Sequence, residues 1–155
     1  ILVPRHPERG RKIKKLIDQR GINCAVRSEK TRVDDTTQVY LADTLGELGL
    51  WYRLSNNCFI GGSLTKIGGH NPFEAILLNN TILHGPNTFN FEAIYSKLIK
   101  TGASIEVKDS HSLYEAIKKL IQKGDSDDLA GLALKNINDG ANLTEKVSKE
   151  ILVYI

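Results

Sequence analysis

No apolar run in this 155-residue chain approaches the roughly 20 residues that cross a bilayer as a helix, and no signal peptide is visible at its start. A membrane-spanning helix within the chain is thereby excluded. Cysteine occurs twice, at Cys24 and Cys58, without the paired spacing of a metal site, so a zinc finger or ribbon is excluded as well. Both lie in short apolar runs and are expected to be buried free thiols of a reducing compartment, with a disulfide as the less favoured alternative. The phosphate-binding consensus Gly-x4-Gly-Lys-[Ser/Thr] is missing, as are Gly-x-Gly-x-x-Gly after the first strand and the nucleophile elbow Gly-x-Ser-x-Gly. These absences argue against P-loop hydrolysis, the usual dinucleotide fingerprint and serine-hydrolase chemistry. Methionine is absent altogether, and the chain opens inside the apolar run Ile1-Leu2-Val3. A natural polypeptide would hardly begin in a buried strand. The chain is therefore expected to be the C-terminal portion of a longer protein, with a partner domain or membrane anchor outside it.

Charge is unevenly spread. Residues 1–32 carry ten Lys/Arg against three acids, a local +7, while the whole chain is only +3. Such a stretch attracts nucleic acid, anionic lipid or a phosphorylated ligand. No aromatics are interleaved with Arg11, Lys12, Lys14 and Lys15, as a single-strand-binding surface requires, so nucleic acid is not expected as a partner. A solvated helix face accounts for most of these charges.

Hydrophobic residues make up 41% of the chain, enough for a real core. Short continuous apolar runs predict strands at Ile1–Val3, Cys24–Val26, Val39–Ala42, Cys58–Ile60, Thr81–Leu83 and Ser104–Val107. Helical spacing lies between them. Ile13, Leu16 and Ile17 form a stripe that closes at Gly21; Leu48, Leu50, Trp51 and Leu54 form a second. Further helices are expected after Asn71, over Phe91 to Lys100, and from Ser112, where Ser112-x-x-Glu115 reads as a capping box with Leu113, Ala116, Ile117, Leu120 and Ile121 buried. Leu129, Leu132, Ala133 and Ile137 begin closing helices from about residue 125. Six alternations of strand and helix predict an α/β fold, a Rossmann-like, doubly wound parallel sheet of about six strands in one domain over 1–155.

Ligands in such sheets bind outside the carboxyl ends of the strands, and that is where the unusual turn chemistry falls. Gly61-Gly62-Ser63 and Gly68-Gly69-His70 lead into Asn71-Pro72-Phe73-Glu74. Asn is a preferred N-cap, Pro suits the first helical position, and Glu at the third completes a capping-box-like start, so free N–H groups face the space the glycines leave. That suits a phosphate. Glu74 either returns a hydrogen bond to the Asn71 N–H or accepts from ribose hydroxyls. Thr44-x-x-Glu47 likewise reads as a cap, while Gly46, placed in the first helical turn, lets a ligand approach the backbone. Arg5 has the planar fork of a phosphate ligand, and a surface ion pair is its alternative. His6 and His70 are either acid/base groups or local hydrogen-bonding residues, and the four histidines form no metal-ligand pattern.

Taken in order, Pro4-Arg5-His6-Pro7-Glu8-Arg9, Gly46-Glu47-Leu48, Phe59-Ile60-Gly61-Gly62-Ser63-Leu64, Gly68-Gly69-His70-Asn71-Pro72-Phe73-Glu74-Ala75 and Gly85-Pro86 with Asn90-Phe91 resemble the C-terminal donor-binding domain of 3-deoxy-D-manno-octulosonic acid (Kdo) transferases. The resemblance implies a GT-B glycosyltransferase that moves Kdo from CMP-Kdo, with inversion, to a lipid A precursor (lipid IVA) in lipopolysaccharide biosynthesis at the cytoplasmic face of the bacterial inner membrane. It implies CMP contacts at Pro4, Arg5, Leu45, Gly46, Glu47, Asn71, Pro72, Phe73 and Glu74, with His6, Gly62, Ser63, Gly69, His70 and Asn90 lining the site. Leu45 stands where the family often has methionine. No metal or other cofactor is implied. The catalytic carboxylate, acceptor surface and membrane anchor belong to an N-terminal domain absent from this chain, which alone is expected to transfer nothing. An anionic membrane surface is a candidate partner for the basic first helix. A GT-B domain for another nucleotide-sugar such as a UDP-sugar, or a non-catalytic nucleotide-binding module, is the alternative.

Overall fold

The structure, a computed structural model, describes residues 1–123 and 127–137. An isolated parallel bridge at Leu2 is followed by a 3-10 turn, Pro7–Arg9, and helix α1, Gly10–Asp18. Next come β1 (Cys24–Val26), β2 (Val39–Leu41), α2 (Leu48–Arg53), β3 (Asn57–Ile60), α3 (Phe73–Leu77) and β4 (Thr81–His84). A 3-10 turn at Phe89–Phe91, α4 (Glu92–Lys100), β5 (Ser104–Glu106) and α5 (Ser110–Lys123) complete the named elements, and residues 127–137 form a further helix, α6. Chain contacts divide the protein into two compact units, Ile1–Trp51 and the residues from Tyr52 onward. Each is described by itself.

The fold is α/β, and every strand pairing described is parallel. All six expected strand positions are occupied, the first only by the Leu2 bridge. In the first unit β2 lies between β1 and Leu2: Leu2 N–H donates to Tyr40 O (2.8 Å), and Ala42 N–H donates to Leu2 O (2.9 Å). Ala25, Val26, Leu41, Ala42 and Trp51 are its buried hydrophobic residues. In the second unit β4 is central, flanked by β3 and β5, and all four of its residues are buried. Its core gathers Ile60, Ile76, Ile82, Tyr95 and Leu98 with Ala75, Ala103 and Ala133. A continuous apolar run such as Thr81-Ile82-Leu83 is what a strand covered on both faces requires.

Three helices that precede a strand end in the same way. After α1, Gly21 N–H donates to Asp18 O and Ile22 N–H to Ile17 O; after α4, Gly102 N–H donates to Ile99 O and Ala103 N–H to Leu98 O. After α3, Asn79 N–H donates to Ile76 O and Asn80 N–H to Ala75 O. These are Schellman closures, with Gly21, Asn79 and Gly102 at positive φ (66°, 60° and 68°). Asn80 then turns inward, fully buried, and its Nδ2 donates to Tyr52 O (2.9 Å) and Leu78 O (3.2 Å).

Several local expectations need correction. The cap of α5 is Asp109, not Ser112. The Asp109 carboxylate accepts the Ser112 N–H (2.7 Å), and the Ser112 hydroxyl accepts the Asp109 N–H (3.0 Å), a reciprocal capping box that starts the helix earlier. Ile121 is 73% exposed rather than part of the buried stripe, and Leu16 on α1 is 45% exposed. Cys24 and Cys58 are free thiols, half-buried rather than buried, and burial pushes the Cys58 thiol up to about 12. Closing helices beyond residue 137 lie outside the described residues.

His84 ends β4 with no exposure, its ring edge-on to Tyr95 at 4.9 Å. Nδ1 lies 2.8 Å from Gly85 O, an atom that only accepts, so Nδ1 carries the proton; Nε2 then accepts from the Ser104 hydroxyl at 3.1 Å. Burial lowers the pKa of this ring. As pH falls below the unfolded value of about 6.5, the unfolded chain binds a proton that the native chain refuses, and stability is lost until the folded ring also titrates. Urea denaturation at pH 7.5 and 5.5 is expected to show a stability loss in the wild type that is smaller in His84→Asn, which keeps a donor but does not titrate. Independently, Asn79→Ala is expected to cost about 1–2 kcal/mol for the left-handed conformation, and Asn79→Gly to cost less, by the same measurement.

Candidate functional site

In the first unit three segments leave the carboxyl ends of neighbouring parallel strands. Pro4, Arg5 and His6 follow the Leu2 bridge, Arg27 and Ser28 follow β1, and Ala42 to Glu47 follow β2. Asp43 ties them together. Its carboxylate accepts the Ser28 N–H (2.9 Å) and hydroxyl (2.7 Å). The first residue of α1, Gly10, is buried against the same side chain, and a Cβ there would lie 2.6 Å from Asp43 Oδ2. Pro4 is half-buried, whereas Arg5 and His6 are exposed. His6 Nδ1 lies 3.7 Å from Glu8 Oε1. Among the described residues the Arg5 guanidinium has no hydrogen bond or ion pair.

The loop after β2 differs from its expected form. Gly46 precedes α2 instead of sitting in its first turn, and has φ +80°, a conformation that favours glycine. Nothing lies within 4 Å of a Cβ built there, so backbone conformation alone requires it. Leu45 is 80% exposed. The Thr44 hydroxyl donates to Glu47 Oε2, a side-chain pair rather than a capping box. Glu47 also receives Arg27 Nε on Oε2 (3.0 Å) and Arg27 Nη2 on Oε1 (2.5 Å). The Arg27 and Thr44 donors hold the Glu47 carboxyl down at about 2, and Glu47 in turn raises the pKa of Arg27.

In the second unit the loop after β3 is closed on itself. Gly69 N–H donates to Gly62 O and His70 N–H to Gly61 O, both at 3.1 Å. Residues of the next loop hold it from outside. Asn90 N–H donates to Gly68 O (3.0 Å), and Asn90 Nδ2 donates to Ile67 O (2.8 Å) and Gly69 O (3.3 Å). Tyr95 on α4 donates to His70 O (3.0 Å). A Cβ at Gly68 would meet the Phe89 ring at 2.5 Å, so the two loops approach closely. Ser63 is fully buried: its hydroxyl donates to Ile60 O (2.5 Å) and accepts from Gly85 N–H (2.8 Å), while its carbonyl accepts from Asn87 N–H (2.9 Å). Ser63 and Asn90, expected as lining, thus spend their side-chain donors on the loops themselves.

Asn71 to Glu74 come next. Asn71 Oδ1 accepts the Phe73 N–H (3.0 Å), but the helix begins at Phe73, so Pro72 takes the cap position instead of the first helical one and Glu74 is the second helical residue, not the third. Pro72 is buried and Phe73 is 40% exposed. Glu74 is exposed, and among the described residues its carboxylate accepts no hydrogen bond, so it does not return to the Asn71 N–H. With five residues in α3 and six in α2, few peptide dipoles add up at either N-terminus. Individual N–H groups and side-chain charges matter more here than a macrodipole. A cleft of about 600 Å³ elsewhere in this unit, lined by Ile105, Ala116, Leu120 and Leu129 among others, includes none of the expected residues. Among the described residues no group of three His, Cys, Asp or Glu could hold a metal.

The chain is 37% identical over 134 residues to the 3-deoxy-D-manno-octulosonic acid transferase of Haemophilus influenzae (strain ATCC 51907 / DSM 11121 / KW20 / Rd), with 86% of this chain and 31% of that protein covered. With the enzyme of that name from Rickettsia bellii (strain RML369-C) it shares 33% over 132 residues, 83% of this chain and 31% of the other. No protein-family model matches. The crystal structure of the C-terminal CMP-Kdo binding domain of WaaA from Acinetobacter baumannii superposes with a TM-score of 0.81 at 35% identity, covering 87% of this chain and 72% of that one. The chain belongs to the 3-deoxy-D-manno-octulosonic acid transferase family. It spans just under a third of the length of those two Kdo transferases, 31% in each case.

Of the positions expected from Kdo transferases, Pro4, Arg5 and Leu45–Glu47 belong to the first unit and Asn71–Glu74 to the second. Arg27, Ser28 and Asp43 in the first unit, and Tyr95 in the second, escaped sequence reasoning. For the first three a signal existed, since each directly follows or nearly follows a strand. For Tyr95, in the middle of a helix, there was none. The loops make a stability prediction. Ser63→Ala removes a donor and strands the Gly85 N–H, and is expected to cost about 1–3 kcal/mol. Gly85→Ala puts a Cβ 2.3 Å from Ser63 O and is expected to cost about 3 kcal/mol or more, each measured by chemical denaturation.

Proposed function

We propose that this chain is the donor-binding part of a Kdo-transferring glycosyltransferase, that it binds CMP-Kdo through its cytidylate portion, and that the full-length enzyme transfers Kdo with inversion to a lipid A precursor, lipid IVA. The observation that carries the reading is the state of two charged side chains. Arg5 and Glu74, both at positions where the family is expected to contact CMP, lack internal ionic or hydrogen-bonding partners among the described residues, whereas neighbouring polar groups are consumed by the fold. Breaking the glycosidic bond leaves negative charge on the CMP phosphate. Arg5 and the backbone N–H groups around Gly46 stabilise that charge as preorganised donors, and Glu74 accepts from the ribose hydroxyls. Those cationic and N–H groups meet the leaving phosphate without calling for a metal. The base that activates the acceptor belongs to the N-terminal part of the full-length enzyme, so this chain alone binds CMP and transfers nothing.

No helix among the described residues is long and apolar enough to cross a membrane. Exposed Arg11, Lys12 and Lys15 on α1, with Lys14 paired to Asp18 at 2.6 Å, suit attraction to the anionic cytoplasmic face of the inner membrane, where we place the full-length enzyme.

NMR titration of the chain with CMP, UMP and AMP is expected to shift resonances of the strand-end loops with CMP first. Arg5→Ala and Glu74→Ala are each expected to weaken CMP binding about tenfold. Preferential response to UMP would replace CMP-Kdo by a UDP-sugar, and unchanged CMP titration in both variants would overturn the residue assignment.

A further inference from the structure

Resting on the nucleotide-binding reading, we infer that the dipeptide Arg27-Ser28 positions the nucleotide-binding loop after β2, and that Glu47 acts by anchoring this loop rather than by contacting the ligand through its carboxylate. The loop is held at both ends by carboxylates, and both carboxylates are bound by these two adjacent residues. Asp43 at the start takes the N–H and hydroxyl of Ser28 (2.9 and 2.7 Å). Glu47 at the end takes the guanidinium of Arg27 through two bonds (3.0 and 2.5 Å). The exposed residues spanned, Leu45 and Gly46, have little packing of their own: Leu45 is 80% exposed, and a Cβ at Gly46 would touch nothing. The positive φ of Gly46 therefore depends on its two anchors.

Arg27 is itself well fixed. Its N–H donates to Leu41 O (2.9 Å) and its carbonyl accepts the Lys30 N–H (3.0 Å). Its guanidinium carbon lies 5.8 Å from the centre of the Trp51 ring, and Trp51, only 7% exposed, packs on Tyr40 at 5.4 Å. Bidentate, charge-assisted bonds add direction as well as strength. With Thr44 also donating, the Glu47 carboxylate holds three donors and has little capacity for ribose hydroxyls. Pairing also serves the ligand. A bare carboxylate next to Gly46 would repel a phosphate, and Arg27 cancels that charge.

The experiment measures CMP affinity and the NMR backbone order parameters of Leu45 and Gly46 in the free protein, for Arg27→Ala, Arg27→Lys, Glu47→Gln and the double variant Arg27→Ala/Glu47→Gln. Trp51, the sole tryptophan, supplies a fluorescence signal beneath the pair. Arg27→Ala and Glu47→Gln are each expected to weaken CMP about tenfold, the double variant no more than either alone, and Arg27→Lys to recover part of the loss. The order parameters of Leu45 and Gly46 should fall in Arg27→Ala while those of β3 to β5 keep their wild-type values. Additive losses, or a loss in Glu47→Gln with wild-type affinity in Arg27→Ala, would make Glu47 a direct ligand and overturn the inference. Unaltered order parameters at Leu45 and Gly46 would overturn it too. A wild-type protein that ignores CMP defeats the nucleotide reading instead, and the order parameters still decide whether Arg27 holds the loop.

Discussion

Parallel strand pairing sets the terms for everything else in this chain. Consecutive strands that run the same way cannot be joined by a tight hairpin, so each needs a crossover that returns to the starting edge. In each unit the segments leaving strand carboxyl ends then gather at one edge. The returning segments must stop sharply if the next strand is to enter in register. Gly21, Asn79 and Gly102 make those stops before β1, β4 and β5. Two are glycines free of crowding and one is an asparagine, the residue that next most readily adopts the left-handed conformation. Glycine at such a site is a backbone requirement, unlike Gly85, where the constraint is the Ser63 carbonyl pressed against it.

The strands were legible because they are short apolar runs bounded by turn residues, and a covered parallel strand has little other way to be written. Thr81-Ile82-Leu83 is the clearest case: all three are buried at the centre of a sheet. Helix starts were less legible. Asp109-x-x-Ser112 and Ser112-x-x-Glu115 compete within the same seven residues, and both match a cap from local chemistry. The earlier pair prevails because its two bonds form reciprocally, side chain to backbone in both directions. At Thr44-x-x-Glu47 the same pattern misled for a different reason. Arg27, twenty residues earlier, takes the glutamate that a local reading assigns to the helix. Spacing rules see neighbours along the chain, and an ion pair formed across parallel strands is invisible to them.

The candidate site was legible as loops but not as roles. The resemblance to Kdo transferases marked Ser63, Asn90 and Glu74 alike, as polar residues in segments that follow strands. Hydrogen bonding separates them. Ser63 has no exposure and spends its hydroxyl on Ile60 and Gly85, and Asn90 spends its amide on the carbonyls of Ile67 and Gly69. Glu74 is exposed and spends its carboxylate on nothing described.

That separation has a physical rationale in the glycines themselves. Gly68 and Gly69 are buried, packed on Phe89 and on the Asn87 carbonyl rather than open to a ligand, and a glycine-rich loop loses more conformational entropy on ordering than any other. If the ligand had to order such a loop, the cost would come out of its affinity. Here the ordering is done beforehand. Carbonyls of Gly61 and Gly62 close the loop on itself, Asn90 and Tyr95 hold it from the following segment, and in the first unit Asp43 and Glu47 anchor the Gly46 turn in the same manner. A side chain cannot both fix a loop with its full hydrogen-bonding capacity and meet a ligand with it. The polar residues of these loops therefore divide into those that hold the backbone and the few, Arg5 and Glu74 foremost, whose charge is left facing outward.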